Sequence, residues 1–211
     1  NSTITPVTSL KIINESGFFT PFTSSLNPEE ALIFIYPKKL ASKVLEYKDY
    51  RMSVEGGNYN VILANVEELY LQFGGGIPKH IAAIRRFSQM VYDMATVKPK
   101  GLFLMGKGIR EANITSTTSI GAGSRTNAIA YQNNLVPSFG QPSCDQCITS
   151  NLPGTNKFRP LIPTGRISAQ TNEELDIYLD KVIEYENEQK QNSIYTTGTK
   201  DWQKHILHFA G

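Results

Sequence analysis

Ala31-Leu-Ile-Phe-Ile-Tyr36 is an unbroken apolar run of strand length, the pattern of a strand buried on both faces. Two more segments share its character, Tyr59-Asn-Val-Ile-Leu-Ala64 and Gly101-Leu-Phe-Leu-Met105. Helical signals separate them. Pro37 ends the first run and can open a helix, after which Leu40, Val44 and Leu45 recur at helical spacing. Gly56-Gly57 precedes the second run. Val66–Phe73 then forms a short helix pattern closed by Gly74-Gly75-Gly76, and Pro78 reopens a longer one carrying Ile77, Ile81, Ile84, Phe87 and Val91 along one side. Leu161-Ile-Pro-Thr-Gly165 predicts a short edge or end strand because of its proline. Thr171-x-x-Glu174 then opens a helix as a capping box, followed by Leu175, Tyr178, Leu179, Val182 and Ile183. Strand–helix–strand order with buried-type strands predicts an α/β fold, a largely parallel sheet with helices on both faces. Leu32, Phe34, Ile62, Leu63, Phe103, Leu104, Leu179 and Val182 are its expected core.

The flanks are different. Residues 1–30 are rich in Ser, Thr and Asn and predict a leader, with one strand at Ser9–Ile13. Ala112–Phe158 holds only Arg125, Asp145 and Lys157 as charged residues and predicts mostly loop, with a short strand at Leu135–Pro137. Gln189–Lys200 is a polar connector, and His205–Phe209 begins a further strand pattern.

Composition removes several classes. At 211 residues the chain holds one to two domains of about 150 residues. Its net charge of +2 lacks the basic excess of a general nucleic-acid surface. No apolar run approaches the roughly 18 residues of a membrane span. No signal-peptide pattern follows Asn1. Two cysteines and three histidines exclude a four-cysteine zinc site or a histidine-rich centre, so no metal and no cofactor are expected.

Gly101-x-x-x-x-Gly106-Lys107 imitates a phosphate-binding loop, but its four intervening residues are an apolar strand and Gly108 stands where Ser or Thr would hold magnesium. Gly106, Lys107 and Gly108 instead predict a tight turn at the carboxyl end of a central strand, where open α/β sheets bind ligands. They are the substrate-cleft candidates. Gly121-Ala-Gly123 lacks both a preceding strand and its third glycine. Cys144-x-x-Cys147 sits in a Pro/Ser-rich loop. A redox pair, half a metal site, a local disulfide and two ordinary thiols all remain open, with a loop-stiffening disulfide or inert thiols favoured by the context. A cysteine–histidine dyad would need Cys144 or Cys147 beside His80, His205 or His208, and no spacing pairs them. The sequons at Asn14 and Asn113 carry no weight.

Four segments together resemble the gingipain-type cysteine peptidases, most closely the sortase-like members serving type IX secretion. They are Glu67-Glu-Leu-Tyr-Leu-Gln-Phe73 with Ala83-Ile-Arg-Arg-Phe87; Pro99-Lys-Gly-Leu-Phe-Leu-Met-Gly106; Gly165-Arg166-Ile167 with Asp180-Lys-Val-Ile-Glu-Tyr-Glu186; and Ile206–Gly211. The resemblance runs from Ala31 to Gly211. It implies the first subdomain of a caspase-like catalytic domain, residues 31–203, with 204–211 starting the strand into a second subdomain that carries the catalytic His and Cys. No catalytic residue is therefore assigned here. The resemblance also implies a secreted or cell-surface parent, in the periplasm or outer membrane of a Gram-negative bacterium. Its partners would be the second subdomain and a peptide or protein substrate. Lys107 departs from the family's usual Asp, and Thr155, Asn156 and Lys157 stand where arginine-specific members have an acidic residue. Neither arginine specificity nor a calcium site is implied. The competing class is a non-catalytic interaction module of the same fold; a nucleotide-binding α/β protein is a third.

Overall fold

The computed structural model describes residues 13, 16–109, 128–140, 142–155 and 158–190, together with His205, Ile206 and His208. Four parallel strands form one sheet in the order β2-β1-β3-β4. They are β1 (Leu32–Tyr36), β2 (Val61–Asn65), β3 (Gly101–Met105) and β4 (Thr164–Ile167). Register pairs Phe34 with Leu63 on one side and with Phe103 on the other, and Leu104 with Arg166. Among the described residues β4 pairs with β3 alone.

Alternation sends each strand's side chains to opposite faces. Ile33, Ile35, Ile62, Ala64, Leu102 and Leu104 point into one core layer, roofed by α3 (Val66–Phe73) and α4 (Ile81–Met94) through Leu69, Ile84, Phe87 and Val91. Leu32, Phe34 and Met105 point into the other, roofed by α2 (Ala41–Met52) through Val44 and Tyr47. The final helix, Asn172–Lys190, completes that roof through Leu175 and Leu179. The α/β sheet with helices on both faces is thus the observed architecture.

Local chemistry sets the helix ends. Asn65 accepts the Glu68 N–H at 3.0 Å and so caps α3, whose first turn carries Glu67 and Glu68 at the positive end of the dipole. His80 caps α4 by accepting the Ala82 N–H on Nδ1. Thr171 accepts the Glu174 N–H, while Glu174 takes the Gln170 N–H rather than that of Thr171, so the capping box closes one residue early.

Several sequence expectations shift. β2 starts at Val61; Asn60 just before it accepts the Leu32 N–H on its carbonyl and donates its side-chain amide to the carbonyls of Asn27 and Glu29. β4 lies three residues later than expected, since Pro163 has no N–H to enter the ladder and instead accepts from Leu102 N. Leu135–Pro137 is not a strand. Leu63, Phe103 and Val182 are half-buried, on the face that α2 and the final helix only partly cover; the other five core residues are buried. The stretch before β1 adds an unexpected helical turn, α1 (Phe22–Ser25), whose Phe22 enters the first core layer. The strand expected at Ser9–Ile13 lies outside the described residues apart from Ile13. The 204–211 strand is described only at His205, Ile206 and His208.

Candidate functional site

The carboxyl ends of β1 and β3 meet where successive connections leave the sheet in opposite directions, the usual ligand position in open α/β sheets. Gly106-Lys107-Gly108 is there. Gly106 N donates to Ile167 O at 2.8 Å and Lys107 N to Ala169 O at 3.0 Å, so these amides are committed to the fold. A covering strap comes from residues 128–140 and 142–151. It begins with α5 (Ala128–Asn133) and continues through Asn134, which is buried and accepts the Ile109 N–H. Leu135 N and Val136 N both donate to Lys107 O, and Val136 is fully buried.

The turn needs glycine for two reasons. Gly106 has φ +147°, and a Cβ there would meet Leu135 Cβ and Val136 Cγ2 at 3.1 Å. A Cβ on Gly108 would strike Ser138 Oγ at 2.7 Å and Val136 O at 2.9 Å. Lys107 itself is half-exposed.

Two arginines fasten the strap. Arg166, at the end of β4, donates from Nε and Nη2 to the two Asp145 oxygens at 2.7 and 2.8 Å. Its Nη1 donates to Gly106 O at 2.6 Å and Val136 O at 2.7 Å. Nη2 also approaches Pro137 O and Ser138 Oγ at 3.3 and 3.4 Å. Burial pushes the Asp145 carboxyl up, but bonds to Arg166, its charge and a bond to Ser138 outweigh this and hold the pKa below the usual range. From α4, Arg85 donates to the carbonyls of Cys147, Ile148, Ser150 and Asn151. Those carbonyls end a short 3-10 turn, Gln146–Ile148, whose Ile148 is fully buried.

Cys144 and Cys147 form a disulfide inside this strap. The chain has no other cysteine, so no free thiol stands near any histidine. His80 Nδ1 is spent on its cap, and His205 and His208 are exposed. Among the described residues no three His, Cys, Asp or Glu side chains come together to hold a metal ion, and no helix is long and apolar enough to cross a membrane. The arrangement can shape and stiffen one wall at the sheet's carboxyl end. It contains no free thiol. Arg166, Arg85 and Asp145 had no signal as fasteners in the sequence, because their partners lie up to 66 residues away.

A four-stranded parallel sheet roofed by helices on both faces is the caspase-like α/β class. The model of peptidase family C25 matches residues 25–211. The chain belongs to that family, the gingipain-type cysteine peptidases. Its fold is similar to the crystal structure of dimeric latent PorU from Porphyromonas gingivalis, with TM-score 0.59 and 20% identity over 82% of this chain. The chain spans 18% of that PorU chain. No curated protein matches it.

Proposed function

We propose that this chain is the first subdomain of a secreted or cell-surface gingipain-like cysteine endopeptidase or sortase-like processing peptidase. The catalytic His and Cys would lie beyond residue 211. The observation that carries this is the Cys144–Cys147 disulfide: the chain belongs to a cysteine-peptidase family, and neither of its sulfurs is a thiolate. In such an enzyme a thiolate attacks the scissile carbonyl. Imidazole takes the thiol proton and returns it to the leaving amine. This chain would contribute the scaffold and one wall of the cleft, at Gly106-Lys107-Gly108 and the strap. The disulfide also fits an oxidising compartment, as a periplasmic or cell-surface location requires.

The missing thiol supports a second reading, a non-catalytic interaction module retaining the fold. One experiment separates them. This chain and a longer one including the next ~150–200 residues, about one more domain, are assayed on peptide libraries with and without a thiol alkylator. The peptidase reading expects alkylator-sensitive cleavage by the longer chain only. No cleavage by either supports the module, and cleavage by the short chain overturns both.

A further inference from the structure

We propose that Arg166 is a positioning residue for substrate binding: it holds the strap, at Val136–Ser138 and Asp145, against the Gly106–Gly108 turn, so that the cleft wall exists before substrate arrives. The proposal rests on the peptidase reading above. What needs explaining is how irregular chain stays seated at the end of a sheet. The strap has no ladder; its backbone bonds to the turn are those of Leu135 N and Val136 N to one carbonyl, that of Lys107. The side-chain bonds from Val136–Ser138 and Asp145 back to β4 and the turn run through one guanidinium. Its side chain is only 10% exposed, and its donors reach Gly106 just after β3, Val136 to Ser138 on the strap, and Asp145 inside the disulfide loop. A planar fork is the group that can do this, and lysine cannot imitate it. The Asp145 carboxylate neutralises the guanidinium with two parallel bonds, so the pair is not poised to catch an anionic substrate. Its effect on a substrate would pass through the strap, where Ser138, Phe139 and Gly140 are half-exposed and Pro142 and Ser143 exposed.

A preformed wall lowers the ordering cost of binding, so its loss should raise KM and spare the chemical step. The test is made in the full-length protein with a peptide substrate. Arg166→Lys is compared with Arg51→Lys, which cuts an equally intramolecular Arg–Glu bridge between α2 and the final helix. The expected result is a KM raised about tenfold in Arg166→Lys with kcat within about twofold, and no such split in Arg51→Lys. Methylguanidinium should restore the KM of Arg166→Ala, and methylammonium should not. Amide hydrogen exchange at Leu135 and Val136 should speed up in Arg166→Lys alone. Equal kinetic changes in both lysine variants, or unchanged KM with a wild-type enzyme that cleaves, overturn the positioning role and leave the peptidase reading standing. A wild-type protein that cleaves nothing overturns the peptidase reading and this role with it.

Discussion

Arg51 on α2 donates through Nη1 to Glu186 Oε1 at 2.7 Å, joining the two helices that roof one face of the sheet across 135 positions of sequence. Tyr50 donates its hydroxyl to the other oxygen of the same carboxylate at 2.5 Å, and Arg51 also donates to Tyr47. Tyr47 is fully buried and stacks on Phe34 with ring centroids 5.3 Å apart. The half-buried bridge therefore continues into the core. Burial, with the Glu186 bond and charge, pushes the Tyr50 hydroxyl up to about 12, so it stays a donor across the physiological range.

The bridge gives a pH-dependent stability. Burial pushes the Glu186 carboxyl up, but the Tyr50 and Arg51 bonds and the Arg51 charge outweigh this and hold its pKa below the ordinary 4.5. A carboxylate depressed in the folded state stabilises above its unfolded value, and the gain disappears as pH falls through the folded value. Glu186→Gln should therefore cost about 1.5–3 kcal/mol near neutrality, the range for hydrogen bonds to charged groups. Urea unfolding should show that gap shrinking as pH drops below about 4.5. A gap that is constant from neutral to acid pH would show that the charge of Glu186 contributes nothing.

Phe34 and Phe103 are register partners on adjacent strands with rings 5.7 Å apart, yet they differ in burial. Phe34 is wholly buried and Phe103 half-buried. Phe34→Ala should cost about 3–5 kcal/mol, as full core truncations do. Phe103→Ala should cost about half as much, because less apolar surface returns to water. Equilibrium unfolding of both variants checks the order, and a larger loss at Phe103 would contradict the placement of the helical roof.

The segment before β1 is fastened from within. Glu68 is buried and accepts from the Thr20 N–H, from Thr20 Oγ1 at 2.9 Å and from Gln72 Nε2 at 2.9 Å. Phe22 packs edge-on to Phe87 at 4.9 Å and lies 2% exposed. Phe22→Ala should cost about 3 kcal/mol, and Glu68→Ala should release the segment to proteases at Phe18 and Phe19. Protease resistance equal to wild type in Glu68→Ala would mean that the carboxylate does not hold it.

The sequence carries the strands well where burial is two-sided and poorly where a single long-range contact decides. β1 and β3 are legible because a continuous apolar run has few other places to go, and α3 is legible between Asn65 and the triple glycine. The strap is not. Its composition is that of a free loop, and what orders it is two guanidiniums on distant elements and two wholly buried apolar side chains, Val136 and Ile148. The Gly165-Arg166 pair is visible as a family-like motif, but its chemical task depends on Asp145 and Val136, 21 and 30 positions away. Local spacing holds no trace of such pairings. The same limit applies to Phe22, an aromatic in a polar stretch whose partners are on α3 and α4.

The disulfide and Arg85 hold the same bend of the strap, so their contributions can be separated. A bond between residues three apart closes a very short loop, and loop-closure entropy then stabilises by only about 2 kcal/mol. Arg85 offers several charge-assisted bonds to carbonyls at 2.6–3.1 Å, with the ring of Phe139 5.8 Å from its guanidinium. Its loss would remove those bonds next to the buried Ile148 and Thr149. Hydrogen bonds to a charged group are worth about 1.5–3 kcal/mol each. Arg85→Ala should therefore destabilise more than Cys144→Ser combined with Cys147→Ser, by a margin visible in thermal unfolding. Hydrogen exchange should speed up around residues 144–147 in both, and reach Thr149 only in Arg85→Ala, because Thr149 Oγ1 stays bonded to Ile162 O at 3.0 Å while the bend keeps its place. If the double serine variant is the less stable of the two, the covalent bond and not the arginine orders this end of the strap.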